Sequence, residues 1–336
     1  MSVPAVAFSA DVLNIDAAAV SAGIASEIHD IVLRRLKRKG VVVAISGGID
    51  SSVVAALCVK ALGTARVLGL LLPEADSSPD SLHFANLLAQ SLSMRTHLED
   101  ISGILTAAGC YQRRDEAIRK VIPEYADGYK CKLVLPDRVT GSTYPIFSVV
   151  VQSPLGKRTK GRLTLDSFLG VVAATNFKQR TRKMMEYYYA DRFNYAVAGT
   201  PNRLEFDQGF FVKNGDGAAD FKPIAHLYKT QVYQLAAYLG IPEEIQKRPP
   251  TTDTYPLDQL QEEFYFPLPY DRMDLCLYAR NHGVPPAEVA PVIGLTAEQV
   301  SRVFGVIQST RSTTRYLHCP SVLCELVPEL SHDGGG

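Results

Sequence analysis

Between Asp16 and Lys39 the apolar residues Ile24, Ile28, Ile31, Val32 and Leu36 recur at helical intervals. The spacing predicts a helix with Asp16 as its N-cap and Gly40 as its stop. The pattern then changes. Residues 41–45, VVVAI, are an unbroken run of apolar residues, mostly β-branched, which predicts a strand covered on both faces, as in a parallel sheet. Asp50 to Leu62 reads as a helix closed by Gly63, residues 65–73 (ARVLGLLLP) as a second strand, Pro79 to Leu92 as a helix and residues 94–99 (MRTHLE) as a third short strand. This βαβαβ order predicts an α/β fold with a doubly wound, mainly parallel sheet. Its crossovers should be right-handed and its ligand site should lie at the carboxyl ends of the strands.

Residues from about 129 to 165 break the alternation, being rich in β-formers, turn residues and lysine or arginine, and they read as a β-rich insertion. Regular character returns with a long helix over 166–190, a strand at 195–199 and a helix over 227–239 stopped by Gly240. Two shorter helices follow, PAEVAPVIG and TAEQVSRVFGVIQS, the second with Thr296 as N-cap and Glu298 and Gln299 in its first turn. One domain is therefore expected over residues 1–320, with a small C-terminal helical segment. Residues 321–336, ending in SHDGGG, are expected to be a partly disordered tail.

Composition narrows the function classes. Thirty-five basic residues balance thirty-five acidic ones over 336 residues, so neither a nucleic acid nor a membrane surface is an expected partner, although a local charged patch stays open. No run approaches the roughly 20 apolar residues that span a bilayer, and the start MSVPAVAFSADVLNID lacks a basic segment followed by a long apolar core, so the cytoplasm is the expected location. The cysteines, Cys58, Cys110, Cys131, Cys276, Cys319 and Cys324, have no CxxC pair and read as reduced and structural. His226, His282 and His318 lack any HxH or HExxH spacing and read as structural or surface residues. Tyr187, Tyr188 and Tyr189 stand at consecutive helix positions and cannot share one stacking face.

The segment SGGIDSS, residues 46–52, follows the first predicted strand. A glycine turn between a strand and a helix start gathers backbone N–H groups at the positive end of a helix dipole, which is an anion site. Ser46, Ser51 and Ser52 can add hydroxyl donors, while Asp50 would repel a bare phosphate unless a hard cation such as Mg²⁺ joined the two. GxxxxGK[ST] occurs nowhere, which removes the Walker-type reading. The two glycines alone read equally well as a tight turn with Asp50 as N-cap.

The full string resembles the SGGxDS signature of the N-type ATP pyrophosphatases. NFKQRTRKMM (176–185), residues 198–245 beginning AGTPNRLEFDQGFF, and KRPPT (247–251) are together similar, in order and spacing, to the NAD synthetases of the ammonia-dependent type. The resemblance covers roughly residues 16–320 and implies an adenine nucleotide alpha hydrolase-like fold. It also implies that Ser46, Gly47, Gly48, Ile49, Asp50, Ser51 and Ser52 hold ATP together with Thr200, Lys229 and Thr251. Asp50 and Glu205 would bind Mg²⁺, and Asp50, Lys229 and Thr251 would carry catalysis. Arg180, Lys213 and Asp220 match contacts to deamido-NAD, and Arg315 is the best match to a lysine near the C-terminus. Lys178, Arg180 and Arg182 put three cations on one short helical segment, a spacing that suits a pyrophosphate and a solvated face equally; the bland alternatives elsewhere are an exposed helical lysine for Lys229, a loop charge for Glu205 and a glycine-rich turn for NGDGAAD.

Three departures fall on the substrate side. TYPLDQLQEEFYFPLPY replaces the acidic pair after the Pro-Thr segment, with Glu262 and Glu263 as stand-ins; TTRYLHCP lacks the family's histidine; and the insertion precedes the Arg180 helix. The implied reaction is adenylation of the carboxylate of nicotinic acid adenine dinucleotide by ATP, followed by attack of ammonia to give NAD and AMP. Free ammonia is the expected nitrogen source, because there is no room for a glutaminase domain, and a homodimer is expected. The departures motivate one alternative, an amide ligase for a different acid. A second is a non-catalytic nucleotide sensor, which has little use for the carboxylates Asp50 and Glu205.

Overall fold

A computed structural model describes residues 8–134, 147–250, 254–257, 265–325 and 327. Thr251, Glu262 and Glu263, the middle of the insertion and most of the 321–336 tail lie outside the described residues.

The central sheet holds β1 (Val41–Ala44), β2 (Val67–Leu71), β3 (Arg95–Leu98) and β7 (Ala196–Val197), all parallel and in the order β3-β2-β1-β7. The unbroken apolar run of β1 is explained by alternation across the pleat. Val41, Val43 and Ile45 join a core with α1 (Ala17–Asp30), α2 (Ile49–Leu62), α3 (Pro79–Ser91) and α8 (Lys229–Tyr238), while Val42 faces the opposite core with α4 (Ser102–Ala107), α5 (Cys110–Arg119) and α6 (Leu165–Phe193). Helices therefore cover both faces, as the doubly wound reading expects.

Asp16 caps α1 by accepting from the Ala19 N–H at 3.0 Å. That helix stops short of Lys39, however: it passes into a π-helical turn over Ile31–Arg35, and Lys37 leaves it at φ 52°. Gly40 is not the stop but a close-approach residue, because a Cβ there would collide with the Arg66 carbonyl and the Tyr195 ring. The insertion is a separate antiparallel sheet, β4 (Lys130–Val134), β5 (Ser148–Gln152) and β6 (Arg158–Arg162). It buries Cys131, Leu133, Val149 and Val151 against Ala117, Ile118 and Val171 of α5 and α6, leaving its lysines and arginines outward.

After α7 (Arg203–Gln208) and α9 (Glu243–Lys247), the helices α10 (Tyr270–Asn281), α11 (Pro286–Ile293) and α12 (Ala297–His318) build a further apolar cluster around Met273, Leu277, Val300 and Ile307. Thr296 caps α12, with Gln299 completing the reciprocal pair of bonds. The helices α4, α5, α7, α9 and α10 were not anticipated from the pattern; most are short or polar, so their periodicity is weak.

Candidate active site

A cleft of about 550 Å³ opens at the carboxyl ends of β1 and β2. Ser46, Gly48, Asp50 and Ser51 line it, with Thr200, Glu205 and Lys229 opposite and Leu72, Pro73 and Ser77 along one side. The strand-loop-helix order places it there: α2 begins at Ile49 with Gly48 as N-cap, so its first N–H groups point into the cleft without intrahelical partners. Asp50 is in the first turn rather than at the cap. Gly47 takes φ +75°, and a Cβ on it would lie 2.5 Å from the Ser81 carbonyl, so the turn requires glycine on two counts.

The hydroxyls divide their work. Ser51 and Ser52 are buried and donate to the Gly48 carbonyl at 3.0 and 2.9 Å, and Ser51 also accepts from the Ser46 N–H at 3.3 Å. They brace the loop from beneath, whereas Ser46 is exposed at its tip.

Asp50 is the meeting point. One carboxylate oxygen accepts from Asn202 Nδ2 at 3.1 Å and the other is bonded to Lys229 Nζ. Asn202 is also the N-cap of α7: its Oδ1 accepts from the Glu205 N–H at 3.1 Å, and the Glu205 carboxylate accepts from the Asn202 N–H at 3.2 Å. One asparagine thus sets Glu205 and Asp50 together. The sequence reasoning missed Asn202, although an Asn followed three residues later by Glu is a legible capping signal.

Lys229 is 2% exposed, at the first position of α8. Burial works against its charge, but the carboxylates of Asp50 and Glu205 outweigh that and hold its pKa above the ordinary lysine value. Beneath it lies Asp274, fully buried on α10, which accepts from the Thr230 N–H at 2.7 Å and the Thr230 hydroxyl at 2.8 Å and so anchors the start of the helix that carries Lys229. Burial pushes the Asp274 carboxyl up to about 7, against the lowering effect of those bonds. Asp274 was also unforeseen, since nothing local in the sequence marks it.

Two oxygen-donor carboxylates beside an anion loop suit a hard cation such as Mg²⁺, which takes one or two carboxylates and completes its shell with phosphate oxygens and water. In the structure the Lys229 ammonium, bonded to Asp50, supplies the positive charge beside them. Among the described residues, no group of three or more His, Cys, Asp or Glu side chains gathers to hold a metal.

The NAD synthase family profile matches residues 23–123 and 157–315. The NH(3)-dependent NAD(+) synthetase of Rhizobium rhizogenes is 55% identical over 96% of this chain and 97% of its own length, and that of Rhizobium meliloti is 55% identical over 96% of each. The chain belongs to the NAD synthase family. The NH3-dependent NAD synthetase of Campylobacter jejuni, solved with a nitrate ion, shares the fold with a TM-score of 0.60, covering 92% of this chain and all of that one at 23% identity. The gap between 123 and 157 in the match takes in β4 and β5 of the antiparallel sheet, whereas β6 falls within the matched residues of this NAD synthase-family chain.

The expected substrate-side residues lie away from the cleft lining. Arg180 is exposed on α6 and donates to the Lys213 carbonyl at 3.3 Å; Lys213 Nζ donates to the carbonyls of Tyr316 and Cys319 at 2.8 and 3.0 Å, holding the end of α12 whose Tyr316 and Leu317 do line the cleft. Asp220 accepts from the Val197 N–H at 2.7 Å and the Tyr187 hydroxyl at 3.3 Å, and Arg315 is exposed on α12. Lys178, read beside Arg180 and Arg182 as one cationic group, is instead buried on Glu74, Asp76 and the Thr254 carbonyl. Arg182 turns to the Leu72 carbonyl at 3.3 Å. The three therefore serve different walls. Of the histidines, His318 packs between Phe206 and Phe211 and His282 stacks on Tyr278.

Proposed function

We propose that this enzyme makes NAD from nicotinic acid adenine dinucleotide, ATP and ammonia. The observation that carries the reading is the convergence of Asp50, Lys229, Asn202 and Glu205 on a glycine turn at the end of β1, in a chain of the NAD synthase family. The substrate carboxylate attacks the α-phosphorus of ATP, a bond forms from carboxylate oxygen to phosphorus, and the bond to the pyrophosphate oxygen breaks. Ammonia then adds to the activated acyl carbon and AMP departs, leaving the amide and one proton. A carboxylate does not react with ammonia in water, so stabilising the departing pyrophosphate is the demanding part.

The first N–H groups of α2, just after the turn at Gly47 and Gly48, offer donors to phosphate oxygens, and Lys229, kept protonated by Asp50 and Glu205, adds positive charge where the leaving group develops its own. Asp50 and Glu205, positioned by Asn202, are the residues that would hold Mg²⁺. When bound there it would supply positive charge that offsets the negative charge of the phosphates. Thr200 lines the same cleft and can orient a phosphate or ribose oxygen. We assign Arg180, Lys213, Asp220 and Arg315 to the dinucleotide rim, beside the end of α12.

A homodimer fits the surface: Leu165 and Leu169 near the start of α6 and Met184 and Tyr188 near its end are 74, 54, 53 and 50% exposed, two apolar pairs that a second copy would cover. Among the described residues no helix is long and apolar enough to cross a membrane, and dependence on ATP suits the cytoplasm.

The test is incubation with nicotinic acid adenine dinucleotide, ATP, Mg²⁺ and ammonium, with NAD, AMP and pyrophosphate measured together. Equal amounts of all three are expected, with losses of at least about 100-fold in Asp50→Asn and Glu205→Gln. Adenylation of some other acid without NAD would overturn the substrate, and absence of ATP–pyrophosphate exchange with any acid would leave a nucleotide sensor instead.

A further inference from the structure

Several cations at the cleft are already matched by carboxylates. Lys229 is bonded to Asp50, Lys183 to Glu186 at 2.6 Å, and Lys178, behind the wall, to Glu74 at 2.9 Å and Asp76 at 2.6 Å. Arg248 is different. Its guanidinium donates to the Gly47 carbonyl at 3.3 Å and to the Ser81 hydroxyl at 2.9 Å, both neutral oxygens, and lies over the Phe84 ring at 5.1 Å from the centroid. It lines the cleft together with Ser46, Gly48 and Asp50.

Local sequence explains the pose. The helix α9 ends at Lys247, and Pro249 bars Arg248 from helical backbone, so it takes φ −65° and ψ 125°. Pro249 and Pro250 line the cleft beside it and stiffen the segment. Arg248 is thus carried on a short rigid arm from α9 to the outer face of the anion turn.

The charge balance calls for such a group. Asp50 and Glu205 against Lys229 leave one net negative charge at the place where a polyphosphate is to sit. A divalent cation offsets part of that, and further positive charge stabilises the tetra-anionic ATP and, more strongly, the pyrophosphate it releases. A guanidinium has five N–H donors in a planar fork suited to phosphate oxygens, of which the bonds to Gly47 and Ser81 use two. We propose that Arg248 is a phosphate-binding residue of this site, clamping the pyrophosphate end of ATP against the turn at Ser46, Gly47 and Gly48. The proposal rests on the ATP-dependent reading of the cleft.

The experiment measures calorimetric binding of Mg-ATP and of inorganic pyrophosphate, each without the acid substrate, to the parent, Arg248→Ala and Arg248→Lys, alongside steady-state kinetics. Arg248→Ala should weaken both probes by about 10- to 100-fold, the effect of losing a charge-assisted bond. The KM values for ammonia and for the dinucleotide should stay within about twofold. Arg248→Lys should recover part of the affinity, since it keeps the charge and loses the fork and the stacking on Phe84. Parent-like binding of both probes by Arg248→Ala would overturn the proposal. So would an equal loss for every substrate with a lowered melting temperature in both variants, which marks a purely structural arginine. A parent that bound neither probe would overturn the ATP reading itself.

Discussion

Replacing Lys178 with methionine tests how the cleft walls are held together. Lys178 is 1% exposed and its ammonium is shared by Glu74, whose side chain is fully buried, by Asp76 and by the Thr254 carbonyl at 2.8 Å. It therefore ties α6 to the loop after β2 and to the segment after the Pro-Thr stretch. Removing one partner of a buried pair costs about 3–5 kcal/mol, because a charge is left uncompensated. Two contacts soften the loss: the Tyr111 hydroxyl still donates to Glu74 at 2.7 Å, and Arg114 remains bonded to Asp76. The expected cost is thus near the lower bound, about 3 kcal/mol, or a melting temperature lowered by roughly 4 °C in a chain of this size. Glu74→Gln leaves Lys178 with Asp76 and Thr254 and should cost only about 1–2 kcal/mol. The double variant should cost less than the two singles combined by about 1–2 kcal/mol. Circular-dichroism melting and urea midpoints of all four proteins measure the cycle. Strict additivity, or a Lys178→Met protein melting within a degree of the parent, would refute the claim that this ion pair braces the cleft.

Other expectations follow from single contacts. Lys229→Ala should lower kcat/KM by about 100- to 1,000-fold, since it withdraws charge from the leaving group, and steady-state kinetics at saturating ammonium would read it. Asp274 has a folded-state pKa raised to about 7, so the folded protein holds this proton more tightly than the unfolded chain. Its contribution to stability is complete below the unfolded value of about 4 and is lost as pH rises through about 7. Asp274→Asn should accordingly flatten the decline in melting temperature over that window, and a parallel slope in both proteins would contradict the assignment. Gly47→Ala should destabilise by about 2–3 kcal/mol, from a positive φ and a Cβ 2.5 Å from the Ser81 carbonyl, and should raise the KM for ATP.

The main-chain plan was legible because it is locally encoded. Continuous apolar residues at 41–45 and 67–72, the glycine turn at 47–48 and the caps Asp16 and Thr296 act within a few residues of themselves, so periodicity and capping chemistry place the strands and helices without knowledge of the rest. The anion loop was legible for the same reason. The Gly40 reading failed where the decisive neighbours, Arg66 and Tyr195, are distant in sequence. The three-cation reading of Lys178, Arg180 and Arg182 failed because positions on one helix turn through different directions, and what each meets depends on packing.

The sequence by itself determined a parallel α/β sheet with a glycine turn ready for an anion, and its family resemblance pointed to adenylation chemistry. Only the tertiary structure decided that Asn202 joins Asp50 to Glu205, that Asp274 anchors the helix bearing Lys229, and that Arg248 stands over the turn. These contacts span 152, 44 and 201 residues of chain. A buried charge is stabilised by whichever group packing brings within about 3 Å of it, and that pairing is a property of the folded core rather than of any local stretch.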